Sequence, residues 1–250
     1  MTDFKYDWST TGFKPGEYKM LLSAMLDRGY SAVSLDAVNC RSKVMFLRHD
    51  IDLCPARALA MARQEAELGL TATYYFLVST RLYSIATKSV RSILSEITEL
   101  GHEIGLHFDA AQYSLDEGNL DKHVAEECKI LEACSDSEVR SISFHRPAPE
   151  YLNRAGAIAG RRHCYEPSFF SEIAYISDSN GGWHHGHPLD HPSIAAGTAI
   201  QLLTHPIWWV NSQPISTVAT MRELHTELGA QLHDELITTV TAYREAEIRE

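Results

Sequence analysis

Acidic and imidazole side chains recur where several predicted strands of this sequence end. The tracts HDID, LHFD, SFHRP, ISDS and LLTHP each close an apolar segment of strand length. Ligands in parallel α/β folds bind at the carboxyl ends of the strands, so we expect these five tracts to meet. Carboxylates and neutral imidazoles bind divalent metals and transfer protons. The pattern therefore predicts an active site at one edge of a parallel sheet.

Asp50 and Asp52 are the closest pair of acids among these tracts. Their spacing at a strand end sends both side chains to the same face. Two carboxylates so close together repel each other unless a metal or a proton neutralises one of them. We therefore expect one metal ligand and one base. The alternative, stronger for Asp52, is a cap for a helix that begins at Pro55.

The tract GHEIGLHFD supplies a further ligand candidate. Strand alternation puts Gly105, His107 and Asp109 on one face, where Gly105 would leave room for a ligand close to the backbone. Neutral imidazole binds zinc, iron, cobalt or nickel, which makes His107 a candidate metal ligand. In SFHRP, His145 is a candidate for a further ligand. Arg146 is a candidate partner for a carboxylate, or alternatively half of a surface ion pair.

The later tracts contain groups that could act on substrate. His205 ends QLLTH, where it could give a proton to a leaving group. Trp183 and Trp208 could form a flat wall that stacks on a sugar ring, or could simply pack in the core. The histidine-rich tract WHHGHPLDHP is predicted to be a solvated loop on the substrate side. We assign substrate contacts to Asp109, Asp178, Trp183 and Trp208.

The elements that must position these residues alternate along the chain in the manner of βα units around a parallel sheet. Ser114 and Glu117 have the spacing of a helix capping box. Strands are predicted at KVMFL, TATYYFLV, HEIGLHFD, VRSISFH, EIAYISD and AIQLLTH. Helices are predicted over residues 18–28, 55–68, 89–100, 114 to about 134, and 221–247.

Composition narrows the class of protein. The 250 residues are 44% hydrophobic, which suits one barrel-sized domain and excludes a disordered chain. With 33 acidic and 22 basic residues the net charge is −11, which disfavours nucleic acid as a partner. Five cysteines without a CxxC pair indicate reduced thiols. We expect neither a secretory signal nor a membrane span, and hence a cytoplasmic protein.

Taken in order, the tracts RHDID, GHEIGLHFD, SFHRP, YISDSNGGW and LLTHPIWW resemble the five motifs of the polysaccharide deacetylase family (NodB homology, carbohydrate esterase family 4). The resemblance covers about residues 40–210 and is to the cytoplasmic-looking branch found with bacterial surface-polysaccharide genes. It implies a distorted (β/α)7 barrel, here a single domain over residues 1–250. It also implies metal-dependent removal of acetyl groups from N-acetylated sugars.

The resemblance implies a role for each matching residue. Asp50 would be the general base and Arg146 its partner. Asp52 and His107 would be metal ligands. His205 would be the general acid.

The sequence departs from the family pattern at two places. Ile51 separates two acids that are usually adjacent, so which acid holds the metal stays open. Ala111 stands where the family has a second histidine, four residues after His107. Asp109 or His145 could complete the ligand set, and we favour His145 because it ends a strand in the same ring. The expected cofactor is a divalent metal, zinc first, with cobalt, nickel or iron as alternatives.

The predicted function is therefore a metal-dependent hydrolase acting on an N-acetylated sugar, either nucleotide-linked, lipid-linked or a small glycoside. Two other classes stay open. The absent second histidine favours a binding or scaffold protein on a degenerate barrel. A hydrolase of cyclic amides or ureides is the other alternative, because a fold does not fix a function.

Overall fold

The computed structural model describes residues 13–14, 16–113, 119–184, 186–211 and 216–248. Parallel strands form one curled sheet, and helices pack around it. The strands are β1 (Ser31–Ala32), β2 (Val44–Ile51), β3 (Thr73–Leu77), β4 (Glu103–Phe108), β5 (Ser141–Phe144), β6 (Arg162–His163), β7 (Ala174–Ser177) and β8 (Ile200–Thr204). The helices are α1 (Glu17–Asp27), α2 (Pro55–Glu67), α3 (Lys88–Glu99), α4 (Leu120–Ser135), α5 (Pro167–Phe170), α6 (Pro192–Ala196), α7 (Pro206–Trp209), α8 (Thr217–Thr239) and α9 (Thr241–Glu247).

The sheet has the strand order β6-β5-β4-β3-β2-β8-β7, and β1 pairs with β2 beside this path. All the pairs between named strands are parallel. Strand β2 is therefore an interior strand, with β3 and β8 on either side. This single α/β domain with a curled seven-strand sheet confirms the predicted distorted (β/α)7 barrel. The carboxyl ends of its strands share one edge, which is where the motif residues lie.

Helix α2 shows how local sequence builds these units. Pro55 occupies its first turn, where the missing N–H costs nothing. Ala58 and Met61 are buried on the side that faces the sheet. Gly69 follows the helix with a φ of 69°, a left-handed conformation that glycine adopts without a Cβ penalty. The observed bounds agree with the predicted helix over residues 55–68 to within one residue.

The C-terminal helix differs from its prediction. A single helix over residues 221–247 was expected, but Val240 has an extended backbone that separates α8 from α9. The break falls in the run Thr238 to Thr241, whose β-branched side chains are poor helix formers. Helix α8 also begins earlier than predicted, after a cap by Ser216. The predicted capping box at Ser114 lies outside the described residues.

The inner face of the sheet is densely filled. A Cβ on Gly105 would collide with the ring of Tyr75 on the neighbouring strand. The glycine therefore makes room for this tyrosine and not for a ligand, which corrects the expectation from sequence. Within the described part of the chain, no helix is both long and apolar enough to cross a membrane.

Candidate active site

Three predicted metal ligands from three strands meet at the carboxyl edge of the sheet. Asp52 follows β2, His107 lies in β4, and His145 follows β5. Asp52 Oδ1 is 3.0 Å from His107 Nε2 and 3.1 Å from His145 Nδ1. The two imidazole nitrogens are 3.2 Å apart. These atoms form the one group of three potential metal ligands found among the described residues.

The spacing of these three atoms fits a divalent cation. Ligands about 2.1 Å from a tetrahedral zinc ion lie about 3.4 Å from one another. The observed separations of 3.0–3.2 Å are close to this value. Asp52 Oδ1 is buried and accepts no well-formed hydrogen bond from the described residues. A buried carboxylate oxygen without a donor, beside two imidazole nitrogens, is the environment that a metal would satisfy.

Asp50 lies next to this triad but has a different set of partners. Arg48 Nε and Nη2 donate to Asp50 Oδ1 and Oδ2 at 2.9 and 2.8 Å. Ser143 Oγ donates to the same carboxylate at 3.2 Å. Burial acts to raise the pKa of Asp50, but the Arg48 guanidinium outweighs it and holds this pKa below its usual value. Asp50 is therefore ionised at neutral pH.

Arg146 does not reach Asp50. Its Nη2 donates to Asp109 Oδ2 at 2.9 Å, and its side chain is 67% exposed. Arg48 therefore takes the place that the resemblance gave to Arg146. The reason is local, since Arg48 and Asp50 are two residues apart on one strand and leave the same face. That spacing was visible in RHDID and was the signal that could have identified Arg48.

Ser143 links the two halves of the site. Its hydroxyl has one proton, which goes to Asp50, and it accepts a hydrogen bond from Arg48. His107 Nδ1 lies 2.9 Å from the same oxygen and must therefore donate to it. This tautomer leaves the lone pair of His107 on Nε2, the atom that faces Asp52 and His145. Ser143 could not be recognised from sequence alone, because a lone serine in a strand carries no distinguishing pattern.

His205 forms a dyad with Asp178. Its Nδ1 is 2.6 Å from Asp178 Oδ1, and its Nε2 is 3.8 Å from Asp52 Oδ2. Burial lowers the pKa of His205, but the Asp178 carboxylate outweighs it and raises this pKa to about 9. His205 therefore carries a proton at neutral pH and points it toward the metal-ligand triad.

Of the other residues predicted to contact substrate, some line the cavity and others pack behind it. Asp178 is fully buried behind His205, and it also accepts a hydrogen bond from Trp209. It therefore positions the imidazole and does not reach the cavity, which corrects its predicted substrate contact. Trp183 packs against Trp209 at a ring distance of 5.8 Å, whereas Trp208 lines the cavity.

Two cavities meet at the triad. The larger has a volume of about 780 Å³ and includes Asp50, His107 and His205 in its wall. A second cavity of about 490 Å³ lies beside it and contains Asp109. Asp52 and His145 belong to both walls. A bound molecule could therefore extend from the triad in two directions.

The histidine-rich tract takes part mainly in local turns. His187 Nδ1 accepts a hydrogen bond from Leu189 N, and His191 Nδ1 accepts one from Ser193 N. Burial lowers the pKa of His187 to about 4, so this imidazole is neutral. His185 lies outside the described residues. The described histidines of this tract thus serve the backbone, and a substrate-side role for the loop remains a prediction.

No family model matches the sequence, and no curated protein matches it either. Solved structures do resemble the fold. A family 4 carbohydrate esterase from Bacillus anthracis has a TM-score of 0.43 at 14% identity, with 90% of each chain covered. A Streptococcus pyogenes deacetylase in complex with acetate has a TM-score of 0.44 at 12% identity, with 82% of this chain and 86% of that one covered.

A Bacillus anthracis pseudoenzyme of the same carbohydrate esterase family is also similar, with a TM-score of 0.42, 13% identity and 77% of this chain covered. The matched region spans only 63–65% of the length of this pseudoenzyme and its two mutants. One of these mutants has restored enzymatic activity.

Proposed function

We propose that this protein belongs to carbohydrate esterase family 4 and removes an acetyl group from an N-acetylated sugar in a metal-dependent reaction. The observation that carries the proposal is the meeting of Asp52, His107 and His145 beside His205, whose Nδ1 is bonded to Asp178. The ordered motifs supply the family and the class of substrate. The site residues supply the chemistry independently of that resemblance.

Asp52, His107 and His145 would hold the divalent cation, for which zinc is the first candidate. Such a cation supplies Lewis-acid polarisation of the amide carbonyl and lowers the pKa of water. Ser143 keeps the lone pair of His107 directed at this site. Asp50 is ionised beside the triad and accepts the proton of the attacking water.

His205 completes the reaction by donating its proton to the departing nitrogen. Without this proton the leaving group would be an amide anion, which is a poor leaving group. Asp178 keeps the imidazole oriented and stabilises its charged form. Acid–base assistance of this kind contributes roughly 10²- to 10⁴-fold to the rate.

Metal content and acetate release test the proposal together. Protein purified without a histidine tag should contain about one divalent ion per chain and release acetate from one or more N-acetylated sugars. A His107→Ala variant should lose both properties, whereas an Asp50→Asn variant should keep the metal and lose activity. His191→Ala is a matched control, because this histidine caps a turn outside the triad. Wild-type protein with neither metal nor acetate release would support the binding-protein alternative.

A further inference from the structure

Away from the triad the wall of the larger cavity is mainly apolar. Ser179, Asn180 and Thr217 are its polar members there, and the remainder is aromatic and aliphatic. The residues that form this part are Leu152, Phe170, Tyr175, Trp208, Val218 and Met221. Tyr165 also contributes its ring, because its hydroxyl is bonded to Arg48. A hydroxyl-rich sugar placed against this surface would leave most of its hydroxyl groups without hydrogen-bonding partners.

The charged groups in the cavity wall also limit which substrates can bind. Arg146 is the one arginine or lysine in the described wall of the larger cavity, and it is already paired with Asp109. At the polar end of the cavity Asp50 is already paired with Arg48, and His205 and the proposed cation would face the scissile amide, so they are not free to bind a diphosphate. A diphosphate would require several cationic or N–H donors. Among the substrates considered above, a nucleotide-linked sugar therefore fits this cavity least well.

The second cavity has more polar groups in its wall, although Leu53, Leu77 and Leu82 also line it. Ser79, Thr80 and Gln112 line it, together with the exposed Arg81. It joins the larger cavity at Asp52 and at His145. The triad thus lies between a space with several polar groups and a space that is mainly apolar. A molecule whose scissile amide reached the triad could place hydroxyl groups in one and hydrocarbon in the other.

We propose that the substrate is amphiphilic, with an apolar group of several carbons close to the scissile amide and a hydrophilic sugar beyond it. The inference rests on the proposed function, because it concerns the same site. The apolar group could belong to the acyl chain or to an alkyl or aryl group linked to the sugar. Both sources present the same chemistry to the aromatic wall, and the experiment below separates them.

Three probes test the inference: N-acetylglucosamine, N-octanoylglucosamine and the octyl glycoside of N-acetylglucosamine, each below its aggregation concentration. Binding is measured by calorimetry on the zinc-loaded protein, and amine release measures hydrolysis. A methylene fully removed from water contributes about fourfold to affinity. We therefore expect at least tenfold tighter binding for an octyl-bearing probe. Comparing N-octanoylglucosamine with the octyl glycoside shows whether the apolar group lies on the acyl side or on the sugar side of the amide.

The outcomes separate this inference from the proposed function. Hydrolysis of all three probes with equal affinity would overturn the apolar-group assignment and leave the deacetylase proposal standing. Tighter binding of an octyl probe without amine release from any probe would support the assignment and overturn the hydrolase. Tighter binding together with faster hydrolysis of the octyl glycoside would support both. The same result for N-octanoylglucosamine would support the apolar-group assignment and overturn acetyl as the group removed.

A charge at the cavity rim provides a second test. Val218 lines the larger cavity from α8 and is 59% exposed, so Val218→Asp should fold normally. This variant should lose at least fivefold in affinity for the preferred octyl probe and little for N-acetylglucosamine. Leu232→Asp is the matched control, since Leu232 is on the same helix and is 61% exposed but lies outside the cavity wall. Equal loss in both variants would contradict the assignment.

Discussion

Ser143 has the most connections of any small residue in the site. Its oxygen contacts Arg48, Asp50 and His107, which belong to different parts of the proposed chemistry. A hydroxyl can do this because it has one proton and two lone pairs. The orientation of a metal ligand and the charge of a base are consequently coupled through one atom.

Replacing Ser143 should therefore weaken metal binding. In Ser143→Ala, His107 Nδ1 loses its acceptor, so its tautomer and ring orientation are no longer fixed. Loss of such a partner typically costs 10- to 100-fold in metal affinity. Competition with a chromogenic chelator measures this change. Ser141→Ala is the control, because Ser141 is buried on the same strand but is bonded to Tyr75. Equal metal affinity in wild type and Ser143→Ala would contradict the assignment.

Arg48 and Asp50 form a buried ion pair inside the sheet. Arg48 is fully buried, and Asp50 is 4% exposed. Removing only the cation should leave a carboxylate without compensation and destabilise the fold by about 3–5 kcal/mol. Arg48→Met tests this by chemical denaturation, and Arg146→Met is the exposed control. Adding Asp50→Asn to Arg48→Met should recover part of the lost free energy, and the lack of any recovery would argue against the pair.

At the scale of the elements, a buried polar cluster joins α1 and α2 to the sheet. Glu65 of α2 contacts the Tyr18 hydroxyl and accepts a hydrogen bond from Tyr74 at 2.6 Å. His49 Nε2 lies 2.8 Å from the same carboxylate. Burial acts to raise the pKa of Glu65, but His49 and these hydrogen bonds outweigh it and lower this pKa.

The cluster predicts how stability depends on pH. A carboxyl group whose pKa is lower in the folded state stabilises the protein fully above its unfolded pKa, about 4.3, and loses this contribution as pH falls through the folded value. Glu65→Gln should therefore cost about 3 kcal/mol at pH 7, and the gap should narrow below pH ~4. Urea denaturation across this range measures the gap. Glu67→Gln, at an exposed position of the same helix, is the control and should leave the free energy of unfolding nearly unchanged. A difference between wild type and Glu65→Gln that stayed constant with pH would contradict the linkage.

The elements themselves were largely predictable, and their ends were less so. The helix over residues 55–68 has a proline at its start, a glycine beyond its end and alanines between, so local signals agreed. The C-terminal helix lacked such agreement, because its apolar periodicity continued through a β-branched run that breaks it at Val240. Periodicity spans many residues, whereas a break depends on a few.

At the scale of the whole molecule, the strand order brings distant motifs together. Strand β8 is nearly last in the chain, yet it pairs with β2 and carries His205 to the edge that holds Asp52. His107 and His145 reach the same edge from β4 and β5. A ligand shared by these residues would tie together segments almost a hundred residues apart.

Metal binding should therefore stabilise the whole fold. A ligand that binds only the folded state adds about 2.7 kcal/mol when its concentration is 100 times its dissociation constant. Adding zinc to metal-free wild-type protein should raise the melting temperature by several degrees, as measured by calorimetry. His145→Ala should show a much smaller rise, and His184→Ala an unchanged one. An equal rise in His145→Ala would place the metal elsewhere.

The sequence by itself determined the alternating βα units, because strand alternation and helix period are local properties of the chain. It also determined the strand ends that carry Asp50, Asp52, His107, His145 and His205, and the resemblance of these motifs implied the barrel. Only the tertiary structure decided which charges pair. Arg48 instead of Arg146 reaches Asp50, and Asp178 lies behind His205 instead of facing the cavity. Contacts of this kind depend on the direction of each side chain and on the register of neighbouring strands. The apolar wall of the cavity has the same origin, since its residues come from loops, helices and strand β7, which are far apart in sequence.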